Sequence, residues 1–352
     1  MTRIYLIRHA EAEGNIYRRA HGHINGQIIG RGFIQIEQLK ERFRQVEVSA
    51  VYSSDLYRAR LTATAVAGPK GLSIETTDRL REVKMGVWED ESWGNLEYRY
   101  PEMSRLFGSD PARWRVDGGE EFAHVQARMM SCIRDIAKRH DGEAVAVFSH
   151  GFAIRSFMCG LSGLQSHESY KVPYCDNTAV ALLEYENGRL SIKYQGDNSH
   201  LDSDTSTFAH QSWWREDKVK VSENLRFEKF DPVRDQMLMD MCSHDTGVEF
   251  KADKQYAAFR TNDPAGLIGF DTEGEDAGQI KYICMIPELR RMNYGVQLIG
   301  QAVSELRKSG VETVRIKIPA GSDEIIFFLR YGFTKTSEFD TDCLLEKNIR
   351  NW

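Results

Sequence analysis

At 352 residues the chain exceeds the usual size of one compact domain, so two domains are expected. With 41% hydrophobic and 28% charged residues it has the composition of a soluble globular protein, and a net charge of −6 argues against nucleic acid or an anionic membrane as partner. No apolar run is long enough to cross a bilayer, the first strand starts too early for a signal peptide, and the six cysteines form no C-x-x-C pair, so a reducing, cytoplasmic setting is expected.

Ile4 to Ile7 reads as a short strand buried on both faces, and it delivers Arg8-His9 at its end. A polar, glycine-punctuated loop over 13–32 leads to a helix over 33–45. A second buried strand, 47–53, ends in Ser53-Ser54-Asp55, where Ser54 or Asp55 can cap a helix over 56–67. A third strand covers 71–76. Glu82 then sits in a loop with Gly86, Trp88 and Gly94, and 95–115 reads as an irregular insertion. Gly118-Gly119-Glu120 opens a long helix over 122–139, with Glu120 placed as a helix N-terminal carboxylate. A fourth buried strand, 144–148, delivers Ser149-His150-Gly151, and a further helix begins at Ala153. Asn187-Gly188 is a hairpin signal between strands 179–184 and 190–195. Strands alternating with helices predict a three-layer α/β domain with a mostly parallel sheet.

The pattern weakens over 196–223, where the domain boundary is expected; Trp213-Trp214 in that stretch are too apolar for a free linker. A second series follows. Strands are read over 225–230, 267–271, 279–286 and 311–318, and helices over 231–242, 294–308 and 325–330. Pro287 to Arg291 is a turn.

Three strand ends carry Arg8-His9, Ser53 to Arg58, and Ser149-His150-Gly151. In a parallel sheet they share one rim, the C-terminal edge where ligands bind. Two arginines and two histidines gathered there call for an anion, and phosphate supplies it. His9 is the candidate nucleophile, kept neutral by its cationic neighbours. Arg8 and Arg58 suit the non-bridging oxygens, and His150 adds a hydrogen bond. Glu82, in a loop able to overhang the pocket, is the candidate acid for the leaving group and base for the water that follows. No carboxylate cluster is spaced to hold a metal, and His21-Gly22-His23 lacks a third ligand nearby.

These stretches, in this order, resemble the histidine phosphatase superfamily, which includes cofactor-dependent phosphoglycerate mutases. The resemblance runs from residue 1 to about 202. It is carried by Leu6-Ile7-Arg8-His9-Ala10-Glu11, Ser53 to Arg60, Leu80-Arg81-Glu82 with Gly86 and Trp88-Glu89, Gly118-Gly119-Glu120, and Ser149-His150-Gly151. It implies a three-layer α/β/α phosphoglycerate mutase-like fold, a phosphohistidine at His9, phosphate contacts from Arg8, Arg58 and His150, an acid role for Glu82, and substrate contacts at Asn15 and Gly22. Two departures, Ile29 for a small hydroxyl residue and Asp90 for a glycine, are expected at the substrate mouth.

The segment Pro287 to Gly295 resembles motif A of the Gcn5-related N-acetyltransferases, and the element order over 223–352 is similar too. This implies a smaller GNAT-like α+β domain with acetyl-CoA held near Arg290, Asn293 and Gly295. Asn293 stands in place of the family's first glycine, and Phe328 in place of its frequent tyrosine acid. The sequence therefore describes a domain over 1–202, a linker over 203–222 and a domain over 223–352. The expected activity is a metal-independent phosphatase acting on a small phosphorylated substrate. The alternatives are mutase-type phosphoryl transfer, or a protein that is chiefly an acetyl-CoA-dependent transferase or sensor.

Overall fold

The computed structural model describes residues 1–211, 223–243, 250–274 and 276–350. Trp213-Trp214 and most of the expected linker lie outside them. In chain order the elements are β1 (Thr2–Arg8), α1 (Glu13–Tyr17), α2 (Gly30–Phe43), β2 (Ala50–Ser54), α3 (Tyr57–Lys70), β3 (Ile74–Thr77), α4 (Trp93–Arg99), α5 (Pro101–Ser109), α6 (Phe122–Arg139), β4 (Ala144–Ser149), α7 (Gly151–Leu161), β5 (Val180–Glu186) and β6 (Arg189–Asp197). They continue with β7 (Leu225–Lys229), α8 (Gln236–Ser243), β8 (Lys254–Arg260), β9 (Asp263–Glu273), β10 (Ala277–Met285), α9 (Gly295–Lys308), β11 (Thr313–Pro319), α10 (Glu324–Arg330), β12 (Thr334–Glu338) and β13 (Asp342–Asn348). Among the described residues no helix is long and apolar enough to cross a membrane.

The chain packs as two compact units. The first comprises Met1–Ala12, His21–Glu89 and Tyr100–Glu216; the second comprises Glu13–Ala20, Asp90–Arg99 and Asp217–Trp352.

In the first unit the sheet order is β3-β2-β4-β1-β5-β6, with β1, β2, β3 and β4 parallel and β5 and β6 antiparallel at one edge. Side chains alternate across the sheet. Ile7, Val51, Ala146 and Phe148 join Leu39, Phe43, Ala63 and Val66 from α2 and α3 in one core. Helices α6 and α7 pack on each other and against β1, completing the α/β/α layers. The hairpin turn is built as the sequence requires, with Asn187 and Gly188 both left-handed at φ 50 and 81. The stretch read as an irregular insertion instead forms α4 and α5. Pro101 opens α5, where its missing N–H costs nothing. The described part of the expected linker is bonded into this unit, because Gln35 Nε2 donates to Thr205 O at 2.8 Å and Thr207 Oγ1 at 3.1 Å.

The second unit carries a sheet ordered β12-β13-β11-β10-β9-β8-β7, in which, among the described residues, β10 and β11 pair parallel and the other neighbours antiparallel. Helix α9 lies on β9 and β10, and Gly278 leaves room for it, since a Cβ there would meet Leu306 at 2.4 Å. Strand β8 was not legible in the sequence, because Lys254-Gln255-Tyr256 gives it no apolar start.

Candidate active site

Parallel pairing brings the three strand ends to one rim. The register sets Arg8 beside Ser149 and Ser53 beside Phe148, so His9, the Ser54–Arg58 segment and His150 emerge together. The His9 and His150 rings lie 5.1 Å apart between centroids. His9 Nδ1 is 2.7 Å from Ala10 O, and a carbonyl only accepts, so Nδ1 carries the proton. The lone pair is thereby left on Nε2. Burial, then Arg58 and Arg8, push the His9 pKa well below its ordinary 6.5. Burial, then Arg58 and His9, do the same for His150. Both rings are neutral at physiological pH.

The arginines are fixed by carbonyl groups. Arg8 donates from Nη1 to Cys175 O at 2.6 Å. A Cβ on residue 151 would sit 3.3 Å from Arg8 Nε, so glycine there leaves the guanidinium space. Arg58 donates to Ile24 O at 2.9 Å and Gly22 O at 2.8 Å. Burial lowers its pKa to about 10, which keeps it charged. Among the described residues, Arg8 Nε and both ring nitrogens of His150 are buried without a hydrogen-bond partner. Buried polar atoms converging without partners mark a place built for a polar ligand.

Glu82 reaches the start of α7. Its carboxylate accepts from Phe152 N at 3.0 Å, Ala153 N at 2.9 Å and its neighbour Val83 N at 3.0 Å. It thus closes the rim beside His150, as an acceptor at a helix N-terminus.

Several supporting residues were given no role from sequence. Glu89 gathers the backbone N–H groups of Gly22 at 3.1 Å, His23 at 2.8 Å and Met85 at 3.0 Å. That fold of the loop aims the Gly22 and Ile24 carbonyls at Arg58. Glu120, expected as a helix N-terminal carboxylate, makes a two-pronged pair with Arg128 at 2.7 and 2.8 Å. Arg128 also donates to Arg81 O at 2.7 Å and Glu82 O at 3.0 Å, which fixes the Glu82 loop. Thr62 accepts from Ala10 N at 2.9 Å and donates to Arg58 O at 2.7 Å, tying the nucleophile's loop to α3. Asn177 Nδ2 donates to His9 O at 2.9 Å. Glu89 and Glu120 stand inside quoted motifs and so carried a sequence signal; Thr62, Asn177 and Arg128 had none.

Of the other candidates, Gly22 joins the site through Arg58 and Glu89. A Cβ there would meet Glu89 Oε1 and Val83 O at 2.4 Å. Asn15 lies half-buried in α1, which belongs to the second unit. Neither Ser54 nor Asp55 caps α3. Asn25 Oδ1 accepts from Tyr57 N at 3.0 Å instead, and Asp55 pairs with Arg81. His23 donates to Glu82 O at 2.9 Å, and no three His, Cys, Asp or Glu groups gather to hold a metal among the described residues. Ile29 is buried just ahead of α2.

In the second unit β10 stays paired with β9 to Met285 but is paired with β11 only from Ala277 to Ile280. The parallel strands part beyond that point, on the way to the turn before α9. Asn293 is left-handed at φ 62, a conformation that favours glycine and that asparagine tolerates, and Arg291 is too at φ 62. Arg290 Nε donates to Met285 O at 3.0 Å, and Arg290 and Asn293 are exposed. Gly295 begins α9, where a Cβ would approach Phe327 to 3.2 Å. Phe328 is buried in the fold.

Comparison with known proteins covers both parts. Residues 4–198 match the model of the Histidine phosphatase superfamily (branch 1), and residues 211–333 that of the Acetyltransferase (GNAT) family. Phosphoserine phosphatase 1 of Hydrogenobacter thermophilus is 30% identical over 201 residues, 57% of this chain and 95% of that protein. A probable phosphoglycerate mutase, GpmB, of an Enterobacter species is 27% identical over 208 residues, 58% of this chain and 96% of that one. The solved structure of Bacillus stearothermophilus YhfR superposes with a TM-score of 0.56 at 30% identity, covering 57% of this chain and all of that one.

Proposed function

The chain belongs to the histidine phosphatase superfamily (branch 1), and from that premise we propose that its first unit hydrolyses a phosphomonoester through a phosphohistidine at His9. The observation that carries this reading is the His9 tautomer. Nδ1–H is committed to Ala10 O, so Nε2 is the nucleophilic atom, beside Arg8, Arg58 and His150. Nε2 attacks phosphorus and the ester P–O bond breaks. Arg8 and Arg58 take the charge on the equatorial oxygens, and the neutral His150 donates one hydrogen bond. The departing alkoxide takes a proton from Glu82, which for this step carries one and turns from the α7 N-terminus toward the leaving group. Water then attacks the phosphohistidine, gives its proton to Glu82, and leaves phosphate and free His9.

The test is turnover of p-nitrophenyl phosphate with excess EDTA present. We expect turnover that His9→Ala abolishes, with a phosphoryl group found by mass spectrometry on the wild-type peptide containing His9. Turnover that survives His9→Ala would overturn the mechanism. Release of free phosphate, rather than its transfer between positions of a phosphorylated acid, separates hydrolysis from mutase chemistry.

For the second unit we propose acetyl-CoA binding along β10, where β11 leaves it, with the turn from Arg290 to Gly295 receiving the pyrophosphate at the α9 N-terminus. Phe328, lacking a proton to give, favours binding over transfer. Calorimetric titration with acetyl-CoA, repeated on Arg290→Ala, tests this. Silence in the wild type sinks it.

A further inference from the structure

The chain passes from the first unit into the second and back at two places close in sequence to residues of the candidate site. It leaves after Ala12, three residues beyond His9, and returns at His21, one residue before Gly22. It leaves again after Glu89 and returns at Tyr100. Gly22 supplies a carbonyl to Arg58, and Glu89 gathers the backbone of the 22–24 loop. The ends of both excursions are therefore joined covalently to the groups that place Arg58.

Within the second unit the excursions are pinned to α9 by buried polar groups. Arg19 Nε pairs with Asp90 Oδ1 at 2.9 Å, and Arg19 also donates to Gln301 Oε1 at 3.0 Å and Ser304 Oγ at 2.8 Å. Ser304 Oγ in turn donates to Asp90 Oδ2 at 2.6 Å. Further along α9, Arg307 pairs with Glu13 at 2.6 Å, and Lys347 from β13 reaches the other oxygen of Glu13 at 3.2 Å. Glu13, Arg19, Asp90 and Lys347 are all buried, and the Arg307 side chain is only 4% accessible. The two excursions are also bonded to each other, Ala20 N to Glu91 O at 2.9 Å and Asp90 N to Ala20 O at 2.8 Å. Gly300 makes the packing possible, since a Cβ on it would meet Tyr17 Cβ at 2.5 Å.

Asp90 explains itself in this setting. Its backbone is left-handed at φ 59, a conformation that favours glycine. A carboxylate kept there in spite of that strain is one with partners, and Arg19 and Ser304 are those partners. The departure expected at a substrate mouth sits in a buried ion pair of the second unit.

We propose that Ser304 and Arg307 of α9 are positioning residues for the phosphatase chemistry. Through Asp90, Arg19 and Glu13 they fix the ends of the segments that hold Arg58 and Glu89. Neither touches substrate. The inference rests on the phosphatase reading of the first unit.

The test uses the full chain carrying Ser304→Ala or Arg307→Met. Both changes leave balanced pairs behind: Arg19 with Asp90 in the first, Glu13 with Lys347 in the second. Neither strands a buried charge, so both variants are expected to fold. Two readouts are taken. Hydrogen exchange of the Gly22, His23 and Ile24 amides should speed up about tenfold, and kcat for p-nitrophenyl phosphate should fall about tenfold, with Arg307→Lys recovering most of both. Exchange at 22–24 equal to wild type overturns the proposal, whatever the activity. So does a loss of kcat that only tracks the fraction unfolded at the assay temperature. A wild type that turns over no phosphoester defeats the phosphatase reading instead, and the exchange arm still decides the positioning role.

Discussion

The two candidate sites differ in how their side chains are held. Around His9 three of the functional groups are braced by fixed backbone carbonyls: Ala10 O for the histidine, Cys175 O for Arg8, Gly22 O and Ile24 O for Arg58, and His9, Arg58 and His150 are buried. Around Gly295 the turn is exposed, and its shape comes from two left-handed residues that carry side chains, Arg291 and Asn293. The first arrangement suits chemistry, which needs charge placed before the reaction and shielded from water. The second suits binding of a flexible ligand, which can be optimised by the ligand's own adjustment. A site's legibility in sequence follows the same divide, because preorganised chemistry allows few residue types.

Replacing an arginine in each unit should break this comparison most sharply if it is wrong. Arg58→Ala removes a buried cation whose carbonyl anchors cannot be used by another group. We predict a loss of 100-fold or more in kcat/KM for p-nitrophenyl phosphate, roughly the cost of one preorganised charge in a water-poor site. Arg290→Ala should leave that activity unchanged while weakening acetyl-CoA binding. Steady-state kinetics on the two variants decide it; an Arg58→Ala enzyme within a few-fold of wild type would mean that the buried cluster is structural.

A middle-sized effect is expected from the bracing rather than the chemistry. Arg128→Met removes the donors to Arg81 O and Glu82 O and leaves Glu120 without its partner. The Glu82 loop then loses its fixed position. We predict a fall in kcat of roughly tenfold to thirtyfold, the scale of a misplaced acid–base group, with a smaller change in KM. An unchanged kcat would show that the α7 N-terminus and His23 hold Glu82 without Arg128.

How much of this was readable beforehand depended on whether a residue acts by type or by place. That Arg8, His9, Arg58 and His150 come together was legible because Arg8, His9 and His150 lie at or just past the ends of strands whose period is visible, Arg58 lies in the first turn of the helix after β2, and parallel pairing does the rest. The hairpin at Asn187-Gly188 was legible because few residues accept its φ angles. Thr62, Asn177 and Arg128 were not, since they act on backbone groups far away in sequence and nothing in their spacing marks it. The membership of 13–20 and 90–99 in the second unit was equally hidden. Glu13, Arg19 and Asp90 look like ordinary loop charges until Arg307, Lys347 and Ser304 are beside them. Asp90 shows the limit best: its oddity was visible, and the reason lay more than 200 residues away in Ser304.

The smallest predicted effect concerns stability and pH. His9 and His150 both have pKa values held below the ordinary 6.5 in the folded protein, chiefly by burial. Unfolded, each would titrate near 6.5. Below that pH the unfolded chain binds protons that the folded one refuses, so stability present above pH 6.5 is lost as the pH falls. At full slope one histidine contributes about 1.4 kcal/mol per pH unit. Other groups titrate in the same range, so the informative quantity is a difference. Urea unfolding at pH 7.5, 6.5 and 5.5 should show a shallower decline for His150→Gln than for wild type, by about one proton's worth of slope. No exposed turn histidine would behave this way. Equal slopes would mean that His150 is solvated or already protonated in the folded state, and the buried, neutral character that separates the first site from the second would be lost. Inorganic phosphate gives the complementary check. An anion bound among Arg8, Arg58 and the two rings favours their protonated forms, so saturating phosphate should flatten the wild-type decline while leaving a His9→Ala, His150→Gln double variant less affected.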